Sequence, residues 1–248
     1  MKCPNFNEEK KLWKRGYKYV VGLDESGRGP LAGPVVAGAV VIKNFQFSIF
    51  NFKSSSNFKI LKEVRDSKQL SAKKREKIYN ALIKCPDIKW GIGIVSEKVI
   101  DKINILEATK LAMKKAVKSL EKKLGKNINN SSVQKTHDPD FVAGARYNRH
   151  REFFARRGFL LLDGNMKLDI NISQKAIIKA DQKVFSVAAA SIIAKVTRDR
   201  IMQKYHKKYP QYGFDKHKGY PTKAHFAKLQ KFGACKIHRK TFWPVSSL

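Results

Sequence analysis

Residues 35–42, Val-Val-Ala-Gly-Ala-Val-Val-Ile, contain no polar side chain. A strand with one face in water alternates apolar and polar residues, so an unbroken β-branched run belongs in a sheet interior with both faces covered. A second apolar run, 19–23, precedes it, and the Gly- and Pro-rich stretch between them predicts two strands joined by a tight turn. Further strands are expected at 90–95 and 159–162. Helices are expected at 71–83, at 184–202, where Ala188-Ala189-Ala190-Ser191 permits close packing, and at 105–124. In the last of these Leu106, Met113, Val117, Leu120 and Leu124 form one apolar face. Residues 45–62 lack a period and read as a loop, and 125–132 is a polar breaker. Strands first and a basic, helix-rich tail later predict a mixed α/β core with a C-terminal helical extension.

The first run ends in Asp24-Glu25 and continues into Gly27-Arg28-Gly29. The strand at 159–162 likewise delivers Asp163, and Asp181 stands before the Ala-rich helix. Carboxylates at strand ends in a chain of net charge +32 read as metal ligands. Each has a plainer reading: Asp24 and Asp163 as turn formers, Asp181 as a helix N-cap. Neighbouring side chains on a regular strand point to opposite faces, so Asp24 and Glu25 reach one cluster only if the strand bends, and Gly27 is the expected place.

The 52 lysines and arginines against 20 acids make a field that attracts polyanions, even allowing for a lysine-rich composition bias. Residues 195–240 hold fourteen lysines and arginines against two acids, Asp199 and Asp215, which predicts a basic C-terminal face. Three scattered cysteines suggest neither a disulfide framework nor a zinc site, and a reducing, cytoplasmic setting fits. No membrane anchor is expected. Four of the six histidines lie between His206 and His238 without metal-site spacing, and structural or phosphate-contact roles suit them.

The run from Asp24 through Gly27-Arg28-Gly29-Pro30 to Val36 resembles the signature of type 2 ribonucleases H, the ribonuclease HII family. In the family's order follow Asp66-Ser67-Lys68-Gln69-Leu70, Asn104 to Thr109, Leu162 to Asn165, Ser186 to Asp199, His217-Lys218-Gly219-Tyr220-Pro221-Thr222 and His238-Arg239-Lys240-Thr241-Phe242. The resemblance implies a ribonuclease H-like five-stranded mixed sheet flanked by helices. It divides the chain into a catalytic domain, 1–200, with a surface insertion at about 127–157, and a basic C-terminal helical extension, 201–248.

By the same resemblance the chain hydrolyses the RNA strand of RNA/DNA hybrids and incises duplex DNA 5′ to embedded ribonucleotides, leaving 5′-phosphate and 3′-hydroxyl ends. Two divalent ions, Mg²⁺ or Mn²⁺, are implied, held by Asp24, Glu25, Asp163 and Asp181. Gly27, Arg28 and Gly29 would read the 2′-hydroxyl. Tyr220 would stack on the deoxyribose after the ribonucleotide, and Lys68, Ser191 and Lys195 read as phosphate contacts, with solvated surface the alternative for each. Ala180 departs from the family's usual glycine. The first motif lies too near the start for the N-terminal domain of type 3 enzymes. A monomer is expected, and residues 242–248 show no clamp-binding peptide to support a sliding-clamp partner. Two alternatives are a ribonuclease H-like structure-specific DNA nuclease, which needs neither the Gly-Arg-Gly turn nor Tyr220, and a non-catalytic nucleic-acid-binding protein, which leaves the acids without purpose.

Overall fold

The computed structural model describes residues 3–42, 60–130 and 157–248, with backbone alone at 125–130. The expected loop, as far as residue 59, and the insertion from 131 to 156 lie outside the described residues. Five strands form one mixed sheet: β1 (Tyr19–Ser26), β2 (Val35–Ile42), β3 (Ile88–Val95), β4 (Gly158–Asp163) and β5 (Ser173–Ile177), in the order β3-β2-β1-β4-β5. β1 pairs antiparallel with β2 and parallel with β4. Every residue of β2 is buried, as its apolar run requires.

Six helices are described: α1 (Asn7–Lys14), α2 (Ala72–Lys84), α3 (Glu97–Asn130), α4 (Phe185–Lys208), α5 (Phe214–His217) and α6 (Lys223–Phe232). α3 covers one face of the sheet and α4 the other. α3 starts earlier than its apolar stripe indicates, but breaks at Asn104, where φ is +64°. The Asn104 side chain accepts from the backbone N–H groups of Leu106 (2.9 Å) and Glu107 (3.1 Å) and so caps the predicted segment. α3 places Met113, Val117 and Leu120 against Val21, Leu23 and Leu160. Full burial of such side chains stabilises the fold by about 1.5–3 kcal/mol each.

α4 owes its position to small residues. A Cβ at Gly22 would collide with the backbone of Ser186 and Val187, and one at Gly38 with that of Ala190. The Ala-rich stretch therefore seats its backbone directly on the sheet. The helix also runs without interruption across residues 200 and 201, where the sequence suggested a domain division, and the C-terminal elements begin only at Pro210.

Glu9 of α1 holds the start of this helix. Its carboxylate is buried and accepts from Ser186 N–H at 2.9 Å. Glu9→Ala leaves that buried donor unpaired, and urea denaturation is expected to show a loss of about 1–3 kcal/mol.

Candidate active site

The parallel pairing of β1 with β4 aligns Leu23 with Leu162. The next residue on each strand is an aspartate. Leu23 and Leu162 both enter the core beneath α3, so alternation sends Asp24 and Asp163 together to the α4 face. The turn before α4 contributes Asp181, and carboxylate oxygens of Asp24, Asp163 and Asp181 all lie within 4.8 Å of one another. Asp181 sits inside a 3-10 turn, Ala180–Gln182, while the N-cap of α4 is Val184, which removes the N-cap reading. Ala180 is fully buried beside Leu161 and Val187, and its N–H donates to Asp163 at 2.7 Å, so the fold accommodates the methyl group at this position.

Glu25 is placed differently. β1 keeps its register through Ser26, with Glu25 opposite Ala37, and the bend comes afterwards at Gly27, where φ is +102°. Glu25 therefore starts from the α3 face and lies outside the three-aspartate group. Its side chain is paired with Arg28 at 3.4 Å.

Burial raises the proton affinity of Asp24 well above the ordinary carboxylate range, and the charges of Glu25, Asp163 and Asp181 add to it. Asp181 is pushed up to about 6, first by burial and then by Asp163 and Asp66. Glu25 is raised by burial, opposed by Arg28. Lys68, in the turn Ser67–Gln69, holds its proton more tightly than usual; burial opposes this, but Asp66, Asp24, Asp181 and Asp163 outweigh it.

These shifts fix a sign. In the metal-free protein Asp24 and Asp181 bind more protons in the folded state than in the unfolded one from about pH 4, where unfolded aspartate titrates, through pH 6 and above. The cluster's contribution to stability therefore falls as pH rises through that window. A divalent cation should remove the fall. Urea titrations at pH 4.5 and 7.5, with chelator or with Mg²⁺, should show the metal adding more stability at pH 7.5 than at pH 4.5, a difference in which the oppositely shifted buried histidines cancel.

The turn after β1 is built from behind by two arginines that composition alone assigns to a basic surface. Arg198 and Arg239 are both fully buried. Arg198 donates to the carbonyls of Pro34 (2.9 Å), Ala32 (3.0 Å) and Lys218 (3.0 Å). Arg239 donates to those of Gly27 (2.6 Å), Arg28 (2.8 Å) and Gly33 (2.9 and 3.0 Å). A Cβ at Gly27 would strike the Arg198 side chain. Arg28 and Gly29 face outward.

Tyr220 is 36% exposed, with the Lys195 ammonium 5.6 Å and the Arg198 guanidinium 5.7 Å from its ring centre. Lys195 is also paired with Asp199 at 2.8 Å. Ser191 is 2% exposed and donates to the Ala188 carbonyl, so its hydroxyl is spent inside α4 and is not presented to a phosphate.

Asp24 and Asp163 thus close two parallel strands, with Asp181 in the turn before α4 and the glycine turn beside them. The family model described as ribonuclease HII matches residues 21–245. The chain belongs to the ribonuclease HII family. The ribonuclease HII of Chlamydia caviae is 45% identical over 237 residues, covering 96% of this chain and 90% of that one. The crystal structure of ribonuclease H2 from Pyrococcus horikoshii superposes with a TM-score of 0.59 at 28% identity, covering 92% of this chain and 96% of that one. An RNase HIII in complex with Mn²⁺ shares the fold at a TM-score of 0.56 and 17% identity, covering 95% of this chain but 70% of the other. As a ribonuclease HII the chain is an endonuclease of the ribonuclease H type, acting on RNA/DNA hybrids. Among the described residues no helix is long and apolar enough to cross a membrane.

Proposed function

We propose that this ribonuclease HII also incises duplex DNA 5′ to a single embedded ribonucleotide, using two divalent ions, Mg²⁺ or Mn²⁺. The observation that carries the reading is the meeting of Asp24, Asp163 and Asp181 beside the carbonyl-anchored Gly27-Arg28-Gly29 turn. An all-oxygen, all-anionic donor set suits hard divalent cations, and the repulsion that raises Asp24 and Asp181 is relieved by a cation between them. The Mn²⁺ in the RNase HIII structure accords with this choice.

Asp24, Asp163 and Asp181 would hold the metal, with Glu25 contributing from the strand end. Bound there, such ions would supply an activated water and neutralise charge on phosphorus and on the leaving 3′-oxygen. The rest falls to the chain's own groups. The Gly27 to Gly29 backbone, fixed by Arg239, faces the 2′-hydroxyl. Tyr220 stacks on the sugar that follows and so favours a deoxyribose there. Lys68, beside the aspartates, and Lys195, beside Tyr220, draw the phosphates in.

The test is cleavage of three duplexes, one with a single ribonucleotide, one a continuous hybrid and one all DNA, with Mg²⁺, Mn²⁺ or chelator. Metal-dependent incision 5′ to the ribonucleotide, with 3′-hydroxyl and 5′-phosphate ends and the all-DNA duplex intact, is expected. Equal cutting of the all-DNA duplex would favour a structure-specific nuclease. Binding without cutting under every condition would leave a non-catalytic nucleic-acid-binding protein.

A further inference from the structure

Behind Tyr220 lies a group of imidazoles that the chemistry above does not use. His225 and His238 are buried at 0% and 2% exposure, and His217 stacks on His225 with ring centres 4.4 Å apart. Their hydrogen bonds determine where each proton sits. The Cys235 backbone N–H donates to His238 Nδ1 at 2.9 Å, so Nδ1 is bare and the proton is on Nε2. The Tyr220 carbonyl can only accept, so His225 Nδ1, 3.0 Å away, carries the proton and His225 Nε2 is bare. The two Nε2 atoms face each other at 3.1 Å. These independent constraints agree, giving one proton between the rings, donated by His238 to His225. His217 is fixed likewise: the Gly219 N–H donates to its Nδ1 at 3.1 Å, and its Nε2–H donates to the Tyr212 carbonyl at 2.8 Å.

We propose that His238 and His225 form a neutral imidazole relay, from the Cys235 amide to the Tyr220 carbonyl, that positions Tyr220 for reading the sugar beyond the ribonucleotide. The relay rests on the stacking role of Tyr220 given above. It makes both histidines positioning residues, since neither is exposed to substrate. The route to the glycine turn is short, because the Leu31 N–H donates to the Gly219 carbonyl at 2.8 Å and Arg198 holds that of Lys218. Tyr220 and the turn that faces the ribose are thus held in one frame. Phe214 packs edge-on against His225 at 5.6 Å and excludes water from the pair.

Burial and the neighbouring imidazoles keep the pair uncharged. Both are pushed down to about 4, His225 by burial and then by His217 and His238, and His238 by burial and then by His217. A second proton would set two N–H groups against each other across 3.1 Å. Among the described residues Cys235 and Tyr212 also lie beside His238, and the charges of Asp215 and Lys218 act on His217.

The experiment compares cleavage of the single-ribonucleotide duplex with cleavage of the continuous hybrid. His225→Leu is expected to lower the ratio of the two rates roughly tenfold, to the same value as Tyr220→Ala, with the double variant no lower. His225→Asn, which keeps a donor toward the Tyr220 carbonyl, and His238→Gln, which keeps one toward His225, are expected to restore most of the ratio. Nitrogen NMR of the unaltered enzyme near neutral pH supplies a readout independent of folding of the variants. It should find His238 protonated on Nε2 alone and His225 on Nδ1 alone.

The opposite tautomers, or an imidazolium, would overturn the relay. A normal ratio in His225→Leu beside a lowered one in Tyr220→Ala would overturn the relay while leaving the tyrosine reading intact. A normal ratio in Tyr220→Ala would overturn that reading and the proposed purpose of the relay together.

Discussion

Asp24→Asn is expected to reduce cleavage by about 10³-fold or more, while making the metal-free protein more stable. The loss follows from removing one of the carboxylates that would hold the metal, whose stabilisation of developing charge amounts to several kcal/mol. The gain follows from the raised proton affinity of Asp24, since its charged form is opposed by burial and by Glu25, Asp163 and Asp181. Asparagine keeps the side-chain oxygen that accepts the Glu25 N–H at 2.7 Å, so the strand end keeps its hydrogen bond. Hybrid binding without metal should be unchanged or tighter, because one charge that repels phosphate is gone. The checks are single-turnover cleavage, a urea midpoint at pH 7.5 with chelator, and filter binding. Retained cleavage, or a lower midpoint, would count against Asp24 as a strained ligand.

The second large effect is expected far along the chain from the acids. Arg239→Leu should cost roughly 3–5 kcal/mol, because the carbonyls of Gly27, Arg28 and Gly33 lose their donor and buried unpaired groups cost about 1–3 kcal/mol each. Arg239→Lys should recover little, since one ammonium cannot reproduce the planar fork that spans three carbonyls. Among the described residues the hydrogen bonds of Arg239 go to carbonyls and to no carboxylate, so carbonyl dipoles solvate it. Burial, followed by the nearby charge of Arg198, lowers its proton affinity to about 9, still high enough for a cation at neutral pH. Urea denaturation measures the stability, and the cleavage ratio of ribonucleotide-containing to all-DNA duplex measures the turn. A variant that keeps both values would show that Arg239 does not shape the Gly27–Gly33 turn.

The sheet interior and the acids were legible because their signals are local. Residues 35–42 have no polar side chain, and Asp24 and Asp163 follow apolar runs whose parallel pairing brings their ends together. β5 was not legible. It is an edge strand, Ser-Gln-Lys-Ala-Ile, partly exposed at every position, and it lacks the apolar signature of its neighbours. The separation of Glu25 from the aspartates turns on whether β1 bends before or after it, a matter of one residue that no pattern resolves.

The buried cations were hidden for a different reason. Arg198 and Arg239 sit in the most basic stretch of the chain, where residue type reads as solvent contact. Only the tertiary arrangement shows that carbonyls from residues 27–34 converge on them. A structural role suited His225 and His238 from the sequence, but their bonding to each other was hidden, since histidine spacing reveals metal sites and not hydrogen-bonded chains. Ser191 shows the reverse error: a hydroxyl on a basic helix reads as a phosphate contact, yet it faces the core and bonds within its own turn.

The anchoring of the Gly27–Gly33 turn by Arg239 also sets an order in time. During synthesis the strands that bear Asp24 and Asp163 emerge long before residue 239. A nascent chain can therefore bring Asp24 and Asp163 together while the Gly27–Gly33 turn still lacks the donors that shape it. The proposed discrimination between ribose and deoxyribose would therefore mature only once residue 239 has folded back onto the turn that follows β1.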